Sequence, residues 1–144
     1  MELLTLDSQE GLSLAARGDW HAAAAVFEAA LDAAERDQSA SRAERNARLA
    51  AALTNLGQAR AYLGALDEAA TLLARSAAVR EALVSAGRAG VAVAVRGHVD
   101  LAAVYGAAGD VAVARETLRH ARTLLGGADG ALAERVDEGL ALLG

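Results

Sequence analysis

Gly18-Asp19-Trp20…Ala23…Phe27…Ala30 is a pattern of turn, small residue, large residue and small residue, and the chain repeats it. The second copy reads Gly64-Ala65-Leu66…Ala69…Leu73…Ser76, and the third reads Gly109-Asp110-Val111…Ala114…Leu118…Ala121. The three glycines stand 46 and then 45 residues apart. A fixed internal period means that one supersecondary unit is stacked on copies of itself. Such arrays usually present a surface for binding rather than a centre for reaction.

Composition supports helical units. A chain of 144 residues suits one domain with a core of moderate size. Hydrophobic residues reach 54% while aromatics are only 3%, so the core has to be assembled from Ala, Leu and Val. Alanine is the best helix former, and there is no proline to interrupt a helix. All 14 basic residues are Arg, and Lys, Ile and Cys are absent, a bias that looks like GC-rich codon usage.

The absences exclude chemistry. Without Cys there is no thiol nucleophile, disulfide or thiolate metal site. Without Lys there is no Schiff base and no phosphate-loop lysine. A formal net charge of −5 argues against a nucleic-acid partner and favours encounter with a partner of some basic character. Met1-Glu2-Leu3-Leu4-Thr5-Leu6 lacks the positive start and long apolar stretch of a secretion signal. Charged or amide residues interrupt every apolar stretch short of a membrane span. The expectation is a cytoplasmic protein with no membrane partner and no cofactor.

Helix punctuation predicts seven helices, at about 7–17, 19–36, 41–63, 66–86, 90–108, 110–125 and 130–143. Asp7…Glu10 and Ser41…Glu44 have capping-box spacing. Asp19, Asp110 and Asp129 read as N-caps. Gly18, Gly64, Gly87 and Gly126 read as helix ends in the left-handed conformation. In the last helix Leu132, Val136, Leu140 and Leu143 make one apolar stripe, as a cap on the end of an array requires. Leu3, Leu4 and Leu6 either cover the first repeat or pair two chains.

These pairs resemble the tetratricopeptide repeat over roughly residues 7 to 125. That family has a small residue on the first helix, then a Gly-Asp/Asn-aromatic turn, then a small-large-small series on the second helix. Here the first helices offer Gly11 with Leu14, Leu56-Gly57, and Leu101-Ala102 with Tyr105. Three of the four aromatics, Trp20, Phe27 and Tyr105, fall on signature positions. The closing proline is missing, and the period exceeds the usual 34 residues by about one and a half helical turns per helix. The longer helices are similar to those of kinesin light chains and bacterial regulator sensor domains. The resemblance implies an all-α, right-handed superhelical stack of three helical hairpins plus a C-terminal capping helix. Repeats would span about 7–36, 41–86 and 90–125, with the cap at about 130–143, in a single domain.

The resemblance also implies that the first helix of each pair lines a concave groove. On those helices one face carries Glu44, Arg48, Ala51, Asn55, Gln58 and Tyr62, another carries Arg96, Asp100 and Ala103, and the short first helix offers Gln9. Asn55 stands where the family grips a peptide backbone with an amide, and Arg96 stands where a carboxylate-clamp subset places a basic residue. Ser8, Leu12 and Asp100 replace the rest of that clamp, so chaperone C-terminal tails are not expected as ligands. The candidate binding residues are therefore Arg48, Asn55, Gln58, Tyr62, Arg96 and Asp100. Arg60 occupies a position that is apolar or aromatic in the other repeats, so it either snorkels to solvent along its stem or pairs with Asp67 or Glu68, with a functional anion-binding arginine as the alternative.

Catalytic signatures are weak. Glu116 and His120 share a helix face at i, i+4 and read as a surface ion pair, since two ligands do not make a metal site. His98 and Asp100 do not share a face. The sequence thus points to a non-catalytic adaptor that binds another protein or a peptide segment. Two alternatives are a homodimeric assembly element and a sensor module for a small molecule or signalling peptide, although few aromatics are present to build a closed pocket.

Overall fold

Three of the six connections between helices have the same geometry, and this turn organises the molecule. The computed structural model describes residues 2–144, with side chains described from Gln9 onward. The described residues form α1 (Glu2–Ala16), α2 (Trp20–Arg36), α3 (Arg42–Tyr62), α4 (Leu66–Ser85), α5 (Val91–Ala107), α6 (Val111–Leu125) and α7 (Ala131–Leu143). They contain no strand. No described helix is long and apolar enough to cross a membrane. Each helix packs chiefly on its neighbours in sequence, and α5 also touches α7.

The repeated turn joins α1 to α2, α3 to α4 and α5 to α6. Gly18, Gly64 and Gly109 take φ of +80°, +85° and +87°. The next residue closes one helix and opens the following one: Asp19, Ala65 and Asp110 have φ/ψ of −87°/69°, −84°/68° and −84°/63°. Its N–H reaches back five residues, from Asp19 to Leu14 C=O, from Ala65 to Arg60 C=O and from Asp110 to Tyr105 C=O, each at 2.9 Å. This hydrogen-bond pattern uses carbonyls that a helix end would leave unpaired. Glycine is needed because a left-handed residue carrying a Cβ is strained.

The small-large-small series is buried in every copy. Ala23, Phe27 and Ala30, then Ala69, Leu73 and Ser76, then Ala114, Leu118 and Ala121 are all inside. The large member fills a notch left by a glycine on an adjacent helix. A Cβ on Gly11 would run into the Phe27 ring, lying 2.8 Å from its Cδ1, and one on Gly57 would lie 2.8 Å from Leu73 Cγ. Leu118 is matched on its other side, where a Cβ on Gly139 of α7 would lie 2.8 Å from its Cδ1. Burying Phe27 contributes about 1.5–3 kcal/mol. The core is a row of clusters rather than one ball. One gathers α1, α2 and α3 around Phe27 and Leu53, one joins α4 to α5 around Leu73 and Leu101, and one joins α5, α6 and α7 around Leu118 and Val136.

Cap expectations are met unevenly. Asp19 Oδ1 accepts from Ala22 N–H at 3.4 Å, and Ser41 Oγ accepts from Glu44 N–H at 3.2 Å. Asp110 stands at its N-cap position without a side-chain cap bond. Two positions need correction. Gly130, not Asp129, is the N-cap of α7, with φ of +126°. The first helix begins at Glu2, so Asp7 is interior to it and is not its N-cap. The leucines of the Met1–Leu6 segment lie outside the residues whose side chains are described. The expected stripe of α7 does pack inward: Val136 is buried, with Leu132, Leu140 and Leu143 against the same cluster.

Candidate functional site

A chain of hydrogen bonds crosses the middle of the molecule and ends at a surface cleft. Ser76, the third signature residue of the second copy, donates to Ala50 C=O at 3.1 Å. Its proton being committed there, the Thr54 hydroxyl donates to Ser76 Oγ at 2.7 Å. Thr54 Oγ1 in turn accepts from Arg80 Nη2 at 3.0 Å, and Arg80 Nη1 donates to Val93 C=O at 3.1 Å. Among the described residues no buried side-chain atom of this seam lacks a partner, as burial requires, and each Arg80 Nη keeps a second N–H beyond the bonds it makes here. Gly97 makes room for it, since a Cβ there would stand 3.0 Å from Arg80 Cδ.

Arg80 is thereby fixed at the wall of an open cleft of about 630 Å³ between α3, the second half of α4 and the start of α5. Ala43, Ala47, Ala50 and Ala51 of α3 supply one side of the floor, and Leu83, Ala89 and Val93 supply the other. Glu44, Arg80, Arg88 and Arg96 are the charged lining residues. Burial pushes the Arg80 guanidinium below its ordinary value, Asp100 opposes that shift, and Arg96 reinforces it. Arginine nonetheless stays charged. The N-terminus of α5 opens beside these groups with Gly90 as an N-cap that supplies no side-chain bond, so its unpaired N–H groups add positive potential. Three arginines against one glutamate make the cleft locally basic on a chain of net charge −5.

The residues expected at a binding groove divide between this cleft and its surroundings. Arg96 is exposed and lines it, together with Glu44 and Ala51 of the expected α3 face. Asn55 is half-buried and Gln58 exposed, further along α3 and outside the lining. Tyr62 is 71% exposed, and its ring stacks on Trp20 with centroids 4.1 Å apart and planes within 4°. Arg48 is engaged by Asp37 at 2.6 Å, a latch from the end of α2 to α3. Asp100 is half-buried; burial raises its carboxyl above the usual range, against the charges of Arg80 and Arg135. Arg80 and Arg88 were not legible as site residues, because only the fold brings the α4 end beside α3 and α5.

Two further polar groups find partners. Arg60 pairs with Glu68 at 3.5 Å, as its position suggested, and with Glu28 of the preceding repeat at 3.2 Å. His120 does not turn to Glu116. Its Nε2 lies 3.1 Å from Glu81 Oε1, while His98 Nε2 lies 3.1 Å from Glu81 Oε2. Burial pushes the Glu81 carboxyl upward, but the bonds from His120 and His98 outweigh it and hold the group below the usual glutamate range. Burial likewise pushes His98 below its ordinary value, partly offset by Glu81.

Compared with protein-family models, the chain matches none, and comparison with curated proteins also returns no match.

Proposed function

We propose that this chain is a non-catalytic adaptor of the tetratricopeptide-repeat type that holds an acidic segment of another protein. In this reading α1–α2, α3–α4 and α5–α6 are the three hairpins of a right-handed superhelical stack, and α7 caps it. The three matching turns and the nine buried signature positions support it. The observation that carries the binding role is the cleft with a floor of small apolar side chains and a rim of Arg80, Arg88 and Arg96. A small-residue floor admits a backbone closely, and guanidinium groups recognise carboxylates in a forked, two-bond geometry. Arg80 is already immobilised by Thr54 and Val93, which lowers the ordering cost of binding. A segment leaving the cleft along α3 meets Asn55, Gln58 and Tyr62 at helical spacing, where the Asn55 amide can both donate to and accept from its backbone. The whole chain's negative charge slows the approach of such a segment, while the local arginines hold it once bound.

The test is a fluorescence-anisotropy titration of acidic, neutral and basic peptide libraries against the parent and an Arg88→Glu/Arg96→Glu variant. Circular dichroism first establishes that the variant is as helical as the parent. Acidic peptides bound by the parent and weakened at least about tenfold in the variant support the reading. Equal binding by both proteins, or retention of basic peptides only, refutes it.

A further inference from the structure

Three metal-binding side chains converge where α4, α5 and α6 meet, on a different set of residues from the arginine-rimmed cleft. We propose that Glu81, His98 and His120 form a site for one divalent transition-metal ion of the zinc class. One ligand atom from each residue lies within 4.8 Å of the others. Both imidazole Nε2 atoms stand 3.1 Å from the Glu81 carboxylate. A tetrahedral zinc centre with bonds of about 2.0–2.1 Å separates its ligand atoms by roughly 3.3 Å, so small side-chain rotations convert the present contacts into coordination.

The geometry is held by rigid elements. Each residue stands inside its helix, away from the ends. The His98 ring is buried and meets the His120 ring edge-on, with centroids 4.7 Å apart. Surface ion pairs with one carboxylate and one cation need no such convergence, whereas a carboxylate flanked by two imidazoles is a standard donor set. Two nitrogens and one carboxylate oxygen suit zinc, copper or nickel over magnesium or calcium, which prefer all-oxygen shells. In the metal-free chain each Nε2–H donates to the Glu81 carboxylate. When the ion binds, that proton leaves Nε2 for solvent and Nδ1 takes one up, so each neutral ring ends with its proton on Nδ1, its Nε2 lone pair on the ion and its net proton count unchanged. Glu81 and His120 are partly open to solvent, leaving a fourth position for water. The ion would clip α4 of the second repeat to both helices of the third.

The experiment is a competition titration of zinc against a chromophoric chelator, on protein from which any affinity tag has been removed. Cobalt absorption reports the coordination geometry. The expected result is one ion per chain, tetrahedral or five-coordinate cobalt bands, and a melting temperature raised by zinc. Glu81→Gln and His120→Ala alter exposed or half-exposed groups and should leave the metal-free chain folded, while weakening zinc at least about tenfold each. His21→Ala, remote in sequence from all three ligands, should leave the affinity unchanged. Absence of stoichiometric binding to the folded parent, or undiminished binding to both Glu81→Gln and His120→Ala, overturns the proposal.

Discussion

Adding a single methyl group at Gly57 probes the notch on which each hairpin depends. An alanine Cβ there would stand 2.8 Å from Leu73 Cγ, 2.9 Å from its Cδ2 and 3.5 Å from Ala69 C=O. Optimal carbon–carbon contact is about 3.5–4.0 Å, so Leu73 would have to retreat by most of an ångström. Its Cγ is a branch point rather than a flexible tip. Leu73 is also only 2% exposed, packed with Ala69, Leu101 and Val104, so it has nowhere to go. Overpacking of this kind costs about 1–3 kcal/mol, and alanine returns about 1 kcal/mol through helix propensity. The expected net effect of Gly57→Ala is a loss of about 1 kcal/mol. Gly106 is the control, because a Cβ there meets only Leu143 Cδ2 at 4.0 Å. Gly106→Ala should therefore stabilise by about 0.5–1 kcal/mol. Urea denaturation followed by circular dichroism measures both. In a Gly57→Ala/Leu73→Ala double variant the two losses should be less than additive, since the cavity accepts the new methyl. If Gly57→Ala stabilises as much as Gly106→Ala, the close approach of α3 and α4 is wrong.

Three other outcomes follow from specific bonds. Ser41→Ala removes the oxygen that accepts from Glu44 N–H and should cost about 1 kcal/mol, whereas Asp110→Ala, where no cap bond is made, should cost less; urea midpoints separate them. Thr54→Val strands an Arg80 donor and removes the proton given to Ser76, so a loss of about 1–3 kcal/mol is expected in the same assay. His98 has its pKa held below the ordinary 6.5 in the fold by burial. Its contribution is thus complete above that value and is lost as the pH falls below it, and Glu81, also lowered, contributes in the same direction below its ordinary 4.5. The urea midpoint of the metal-free parent should fall from about pH 7.5 to about pH 5, and His98→Gln should flatten that fall. A midpoint that rises on acidification contradicts the placement of His98.

Features carried by one helix or one turn could be read from the sequence, and the polar networks that join helices away from the turns could not. Gly18, Gly64 and Gly109 mark the turns because positive φ is a local demand that glycine meets. Ala69, Leu73 and Ser76 could be assigned to the interior because a helix face repeats every three to four residues. The start of α1 was misplaced because Asp7 and Glu10 satisfy cap spacing whether or not a helix already runs through them. Asp129 was misread for a similar reason, since Gly130 meets the backbone requirement at the start of α7. The Arg80–Thr54–Ser76 seam and the Glu81–His98–His120 cluster each join residues from different helices. Their spacing carries no periodic signal, so only packing discloses them. Glu116 and His120 do share α6 at i, i+4, but Glu81, on α4, takes the histidine.

The adaptor reading stands on whether a partner chain enters the cleft between α3 and α5. A photo-crosslinking amino acid placed at Ala51, exposed within the cleft lining, reports that contact directly, and the same probe at Ala78, exposed on α4 outside the lining, is the control. The proposal expects the Ala51 probe to capture, from lysate of the native host, a discrete protein whose crosslinked peptide is acidic. Capture should disappear when Arg88→Glu/Arg96→Glu is added, and the Ala78 probe should not capture it. Equal capture from both positions, or capture at Ala51 that survives the arginine reversal, would contradict a groove that reads acidic segments.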